Sequence, residues 1–185
     1  STTADDFLLY ENLGMGGWTE HPLVTGQPIT DFLSVDWDED GLMDILCTDT
    51  SVDEVVLWRQ TGELAFERVV MATIPGPQFI DFGDFNNDSL LDFAVGADDG
   101  FIWFEQVEVY TLIPHIISEY LNVTVTMLVT GDFNNDGATD IVSSRVIGPN
   151  QFLTLMLNDG TGGSFTNFGL DDHLMTSGFF ADLDG

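Results

Sequence analysis

Three stretches of the chain place oxygen-bearing side chains at alternate positions: VDWDEDGLMD over 35–44, GDFNNDSLLD over 83–92 and GDFNNDGATD over 131–140. Counted from the leading aspartate, positions one, three, five and nine are Asp36, Asp38, Asp40 and Asp44 in the first stretch. They are Asp84, Asn86, Asp88 and Asp92 in the second, and Asp132, Asn134, Asp136 and Asp140 in the third. The backbone carbonyl at position seven belongs to Leu42, Leu90 and Ala138. Alternate donors on a tightly curled loop converge on one point, and an all-oxygen shell is what a hard cation such as Ca2+ takes. Position six, where the chain must turn sharply, is Gly41 and Gly137 but Ser89 in the middle copy. A fourth copy begins in FFADLDG, where Asp182 and Asp184 match positions one and three before the sequence stops.

Aspartate and asparagine also cap hairpin turns with no metal present, which would suffice to explain a single copy. Three copies in register, each with four oxygen-bearing side chains at fixed positions, favour the cation. An EF-hand is excluded, because no bidentate glutamate stands at position twelve and the flanks read as strands. Charge counting ranks the loops: the Asp36 loop carries four carboxylates and a glycine, the Asp132 loop three and a glycine, and the Asp84 loop three with Ser89. The Asp84 loop is therefore expected to bind most weakly.

The elements that position these loops follow from the spacing. Asp36, Asp84 and Asp132 are evenly spaced, about 48 residues apart, a period that signals a repeat architecture. Each loop is preceded by a short apolar or alternating run (ITDFLSV, PQFIDFG, VTMLVTG, MTSGFFA) and the three complete copies are followed by another (LMDILCT, LLDFAVG, ATDIVSS). A third run recurs as DFLLYEN, EVVLWRQ, GFIWFEQ and QFLTLML, and a fourth as WTEHPLV, FERVVMA, LIPHIIS and FGLDDHLM. Four short β-rich runs per unit, separated by turn residues, predict an all-β chain of four-stranded antiparallel β-propeller blades. A β-solenoid is the rival, but its repeats are usually shorter. The expected division is one propeller segment over 1–185: outer strands of a first blade at 1–29, blades at 30–78, 79–124 and 125–178, and the start of a further or closing strand at 179–185. Both ends look cut, so a partial arc of a larger propeller in a longer protein is expected.

The pattern D-x-[DN]-x-D-[GS]-x-x-D between two strands resembles the FG-GAP or VCBS repeat of integrin α-subunit propellers and of many secreted proteins. DFLLYENLGMGGWTEHPLV is similar to the strand that follows the loop in the VCBS type. The resemblance covers essentially all of the chain. It implies calcium at the three loops, and it is specific for fold and metal rather than for biological role.

The charge balance agrees with a cation partner. There are 32 acidic residues against three arginines, Arg59, Arg68 and Arg145, and the net charge is −29. Nucleic acid and anionic membrane surfaces are excluded as partners by repulsion, and no run is long and apolar enough for membrane insertion as a helix. The single Cys47 offers neither a disulfide nor a thiolate site and reads as a small buried strand residue. His21, His115 and His173 fall at repeat-equivalent places with Arg68 in the remaining unit, so they read as strand positions on separate blades rather than one site. No nucleophile elbow, phosphate loop or zinc pattern appears, and paired catalytic carboxylates would not recur in every blade. Tyr10, Trp58, Trp103 and Phe104 could stack on sugars, but third-strand aromatics more often pack between blades. Asn87 and Asn122 open glycosylation sequons, Asn122 lying outside the loops.

The sequence thus points to a non-enzymatic calcium-binding segment, extracellular or at the cell surface, serving as a structural or adhesion module. Its expected partners are calcium and other protein chains or the rest of the same protein. The alternatives are a glycan-binding propeller and a non-catalytic propeller attached to an enzyme domain elsewhere.

Overall fold

The computed structural model describes residues 6–98, 100–119, 124–147 and 149–171. Asp182, Asp184, the 179–185 segment, His173 and Asn122 lie outside the described residues. The rest forms fourteen strands and, among the described residues, no helix. A hairpin of β1 (Phe7–Gly14) and β2 (Gly17–Val24) comes first. Three four-stranded antiparallel meanders follow. The first sheet is β3 (Ile29–Val35), β4 (Asp44–Asp49), β5 (Glu54–Gly62) and β6 (Ala65–Thr73). The second is β7 (Phe79–Gly83), β8 (Asp92–Ala97), β9 (Gly100–Glu108) and β10 (Thr111–Glu119). The third is β11 (Thr124–Gly131), β12 (Asp140–Ile147), β13 (Asn150–Asn158) and β14 (Phe165–Asp171). Among the described residues the sheets do not close on themselves, consistent with part of a propeller arc.

Burial explains the strand composition. Every residue of β4 and β8 is buried, and β8 has a core on each face, Phe93 and Val95 on one and Ala94 on the other. Such strands read as near-continuous apolar runs, as in DILC and FAVGA. One core fills the space between the first and second sheets, with Leu46, Leu57, Ile80, Phe93 and Val95. The other lies between the second and third, with Phe85, Phe101, Trp103, Ile141 and Met156. Gly96 lets the second and third sheets approach, since a Cβ there would stand 2.7 Å from Val125 Cγ1.

The first strands β3, β7 and β11 lie side by side and are stitched by aspartates that the repeat pattern did not single out. Asp31 accepts the Ile80 N–H at 3.1 Å, and Asp81 accepts the Thr130 N–H at 2.8 Å. These bonds cross from one sheet to the next at its inner strand and fix the rotation between blades. The three aspartate loops join first strand to second, so all three occupy the same place in their sheets.

Candidate metal-binding loops

Position nine is fully buried in each loop. Asp44, Asp92 and Asp140 are all 0 % exposed. One oxygen of each accepts the N–H of position two: Trp37 to Asp44 at 3.1 Å, Phe85 to Asp92 at 3.1 Å and Phe133 to Asp140 at 3.0 Å. The other oxygen accepts an N–H from the third strand, Gln60, Gln106 or Asn158, at 2.7, 2.8 and 2.9 Å respectively. This carboxylate pins the loop to its own sheet. The side chains at position two drive Trp37 and Phe85 into the inter-sheet cores. Phe133 is only half-buried.

Positions one and five then curl the loop. Asp36, Asp84 and Asp132 accept the N–H of position six at 3.0, 2.8 and 2.9 Å. Asp40, Asp88 and Asp136 accept the N–H of position seven at 2.9, 2.8 and 2.9 Å. Carboxylate oxygens of Asp36, Asp38 and Asp40 all lie within 4.8 Å of one another. Buried Asp36 Oδ1 and Asp38 Oδ1 have no hydrogen-bond partner. An unpaired buried carboxylate oxygen is costly, and a cation at their focus is the natural remedy. The donors therefore fit a hard cation at this loop.

In the other two loops an N–H donor already stands between positions three and five. Asn86 Nδ2 donates to Asp88 Oδ2 at 3.1 Å, and Asn134 Nδ2 to Asp136 Oδ2 at 2.7 Å. The first loop has carboxylates at both positions and neither can donate. There Arg59 Nε donates to Asp38 Oδ2 and Arg59 Nη2 to Asp40 Oδ2, the latter at 3.4 Å. Tyr110, in the β9–β10 turn of the next sheet, adds its hydroxyl to Asp38 Oδ2 at 2.9 Å. Burial works to raise the Asp38 pKa, but the Arg59 and Tyr110 bonds outweigh it and leave it lowered. The Asp84 loop receives Glu105 instead, whose Oε1 accepts from Asn86 Nδ2 at 3.0 Å.

Backbone conformation refines the motif. Position six is left-handed in every loop, with φ of 87° at Gly41, 70° at Ser89 and 90° at Gly137. Position four is left-handed too, at Glu39, Asn87 and Asn135. Asparagine at two of those three places is the signal, since it tolerates this region better than other L-residues. Ser89→Gly should raise stability by about 1 kcal/mol by relieving a Cβ clash, read as a higher melting temperature. An unchanged or lower value would refute strain at that turn.

The buried position-nine aspartates also titrate abnormally. Burial pushes the Asp92 carboxyl up to about 6, against two opposing N–H bonds and with help from Asp88 and Asp84. Asp44 and Asp140 are raised for the same chief reason. A raised folded-state value adds stability that is complete below the unfolded value near 3.8 and is lost as pH rises through about 6. In calcium-free buffer, the melting temperature should therefore climb as pH is lowered from about 7 to about 5. Thermal melts in a chelator at both values check this, and a fall would contradict it.

Most of the other residues singled out have partners or packing within the fold. His21 Nε2 lies 2.9 Å from Glu11 on the first hairpin, and His115 Nε2 lies 2.7 Å from Glu105 on the second sheet. His115 also stacks on Trp103, with ring centroids 4.3 Å apart. Trp103 and Phe104 are buried between sheets, Trp58 is half-buried and Tyr10 is exposed. Cys47 is buried and its thiol is pushed up to about 12 by burial, so it is inert. Asn87 Nδ2 is engaged with the Gly160 carbonyl at 3.1 Å.

Comparison with known proteins finds one family. The FG-GAP-like repeat matches residues 36–95, from the leading aspartate of the first loop to the strand behind the second. No curated protein matches the chain. Residues 36–95 match the FG-GAP-like repeat, and with the equivalent sheet and loop that follow the chain is consistent with a β-propeller-type module of the FG-GAP/VCBS repeat family.

Proposed function

We propose that this chain is a calcium-binding propeller segment that works outside the cell as a structural or adhesion module of a larger secreted or surface protein, without catalysis. The observation that carries the reading is the pair of buried, unpartnered oxygens on Asp36 and Asp38, facing Asp40 in a loop built the same way twice more. The ion would be held by positions one, three and five and the carbonyl at seven, with the pinned position-nine carboxylate offering its remaining lone pairs. Ca2+ suits such a site better than Mg2+, because it accepts irregular oxygen shells. Millimolar free calcium outside cells matches loops of this class. Neutralising part of a charge of −29 lowers self-repulsion in the folded chain.

The glycan reading loses two of its four aromatics, Trp103 and Phe104, to the cores between sheets. Calorimetric titration of the metal-free chain with calcium should show saturable binding at three loops, with magnesium as the weak competitor. A chain that takes up no calcium at millimolar concentration would exclude the proposal.

A further inference from the structure

We propose that the third strand sets each loop's calcium affinity, and that Arg59 acts as a resident cation competing with calcium for the Asp36 loop. This inference rests on the calcium reading above and concerns which residues regulate it.

Three observations lead to it. Arg59 is bonded to the carboxylates of positions three and five, Asp38 and Asp40, which are the groups a calcium ion would need. Asp38 is the most enclosed of that set, its side chain only 9 % exposed, so its charge is poorly screened by water. The residue just before each third-strand anchor differs between sheets. It is Arg59 before Gln60, Glu105 before Gln106 and Leu157 before Asn158.

The same place on the strand therefore carries a positive, a negative or no charge. Arg59 reduces four loop carboxylates to a net of three negative charges. Glu105 adds a fourth to the three of the Asp84 loop, and Leu157 leaves the Asp132 loop at three. Counting loop residues alone puts the Asp36 loop first, whereas counting the strand puts the Asp84 loop first. The Asp36 loop also has to expel a guanidinium before an ion can reach Asp38 and Asp40. Calcium entry there means that Arg59 swings out to solvent, which its one-third exposed side chain permits.

The test resolves the sites individually. The amides of Gly41, Ser89 and Gly137 each bond the leading aspartate of one loop, so their nuclear magnetic resonance signals report the three sites separately. In a calcium titration of the full chain, Gly41 should respond last. Arg59→Gln should move the Gly41 midpoint to about tenfold lower calcium, as expected for removing one unit charge a few ångströms away, and leave Gly137 in place. Glu105→Gln should move the Ser89 midpoint to higher calcium.

The Arg59 Nε–H signal supplies a check in the unmutated chain, because it should lose its protection from solvent exchange as Gly41 titrates. A Gly41 midpoint unmoved by Arg59→Gln, or an Nε–H that stays protected in saturating calcium, overturns the inference while Gly137 still shows that calcium binds. Silence of all three amides overturns the calcium reading itself, and the inference with it.

Discussion

Removing calcium is expected to lower the melting temperature by about 10 to 20 °C. With dissociation constants of about 10⁻⁴ to 10⁻³ M and a few millimolar calcium, each occupied loop adds about 1 to 2 kcal/mol by mass action. Three loops add about 3 to 6 kcal/mol, and for a chain of this size each kcal/mol is worth about 2 to 4 °C. The loops join the two innermost strands of each sheet, so their ordering should be felt by the whole arc rather than by local fraying. Thermal melts in excess chelator, in calcium and in the same concentration of magnesium make the comparison. A melting temperature indifferent to calcium would remove the metal from the account of this fold.

The second large effect is expected at a residue whose main work requires no metal. Asp92→Ala should cost about 2 to 5 kcal/mol even in chelator, because it strands two N–H groups in a buried place at about 1 to 3 kcal/mol each. Those groups belong to Phe85 and Gln106, bonded to Asp92 at 3.1 and 2.8 Å. Phe85 lies in the core between the second and third sheets, so loosening its backbone also disturbs packing with Trp103, whose ring centroid is 5.5 Å away. Asp92→Asn keeps one acceptor and should cost less. Asp88→Ala provides the contrast, as it removes a predicted ligand from the exposed rim and should weaken calcium binding with little effect on the calcium-free chain. Chemical denaturation of the three variants with and without calcium separates the roles. Equal losses for Asp92→Ala and Asp88→Ala in chelator would mean that position nine is not a structural pin.

The sequence by itself determined the repeat, the strands and the loop frame. A 48-residue period with four β-rich runs can be satisfied in few ways, and the alternation of oxygen donors is a local property of a curled loop. Such features depend on neighbours in the chain, which a sequence displays directly. The strand boundaries followed closely, as ITDFLSV over 29–35 became β3 without adjustment.

Tertiary structure decided what each donor is free to do. Position nine reads like any other ligand in the sequence, but in the fold it is buried and already accepts two N–H groups, one of them from a strand 14 to 18 residues further on. Arg59 lies 21 residues from Asp38 and Tyr110 lies 72 residues away, so only the pairing of strands and the stacking of sheets brings them to one carboxylate. The stitching of inner strands by Asp31 and Asp81 is likewise invisible in the chain, since both look like ordinary strand aspartates. Electrostatic interactions act through space, and a loop's charge is the sum over whatever the fold places beside it. The four carboxylates of the Asp36 loop were set by its sequence, and the guanidinium that faces two of them by the sheet.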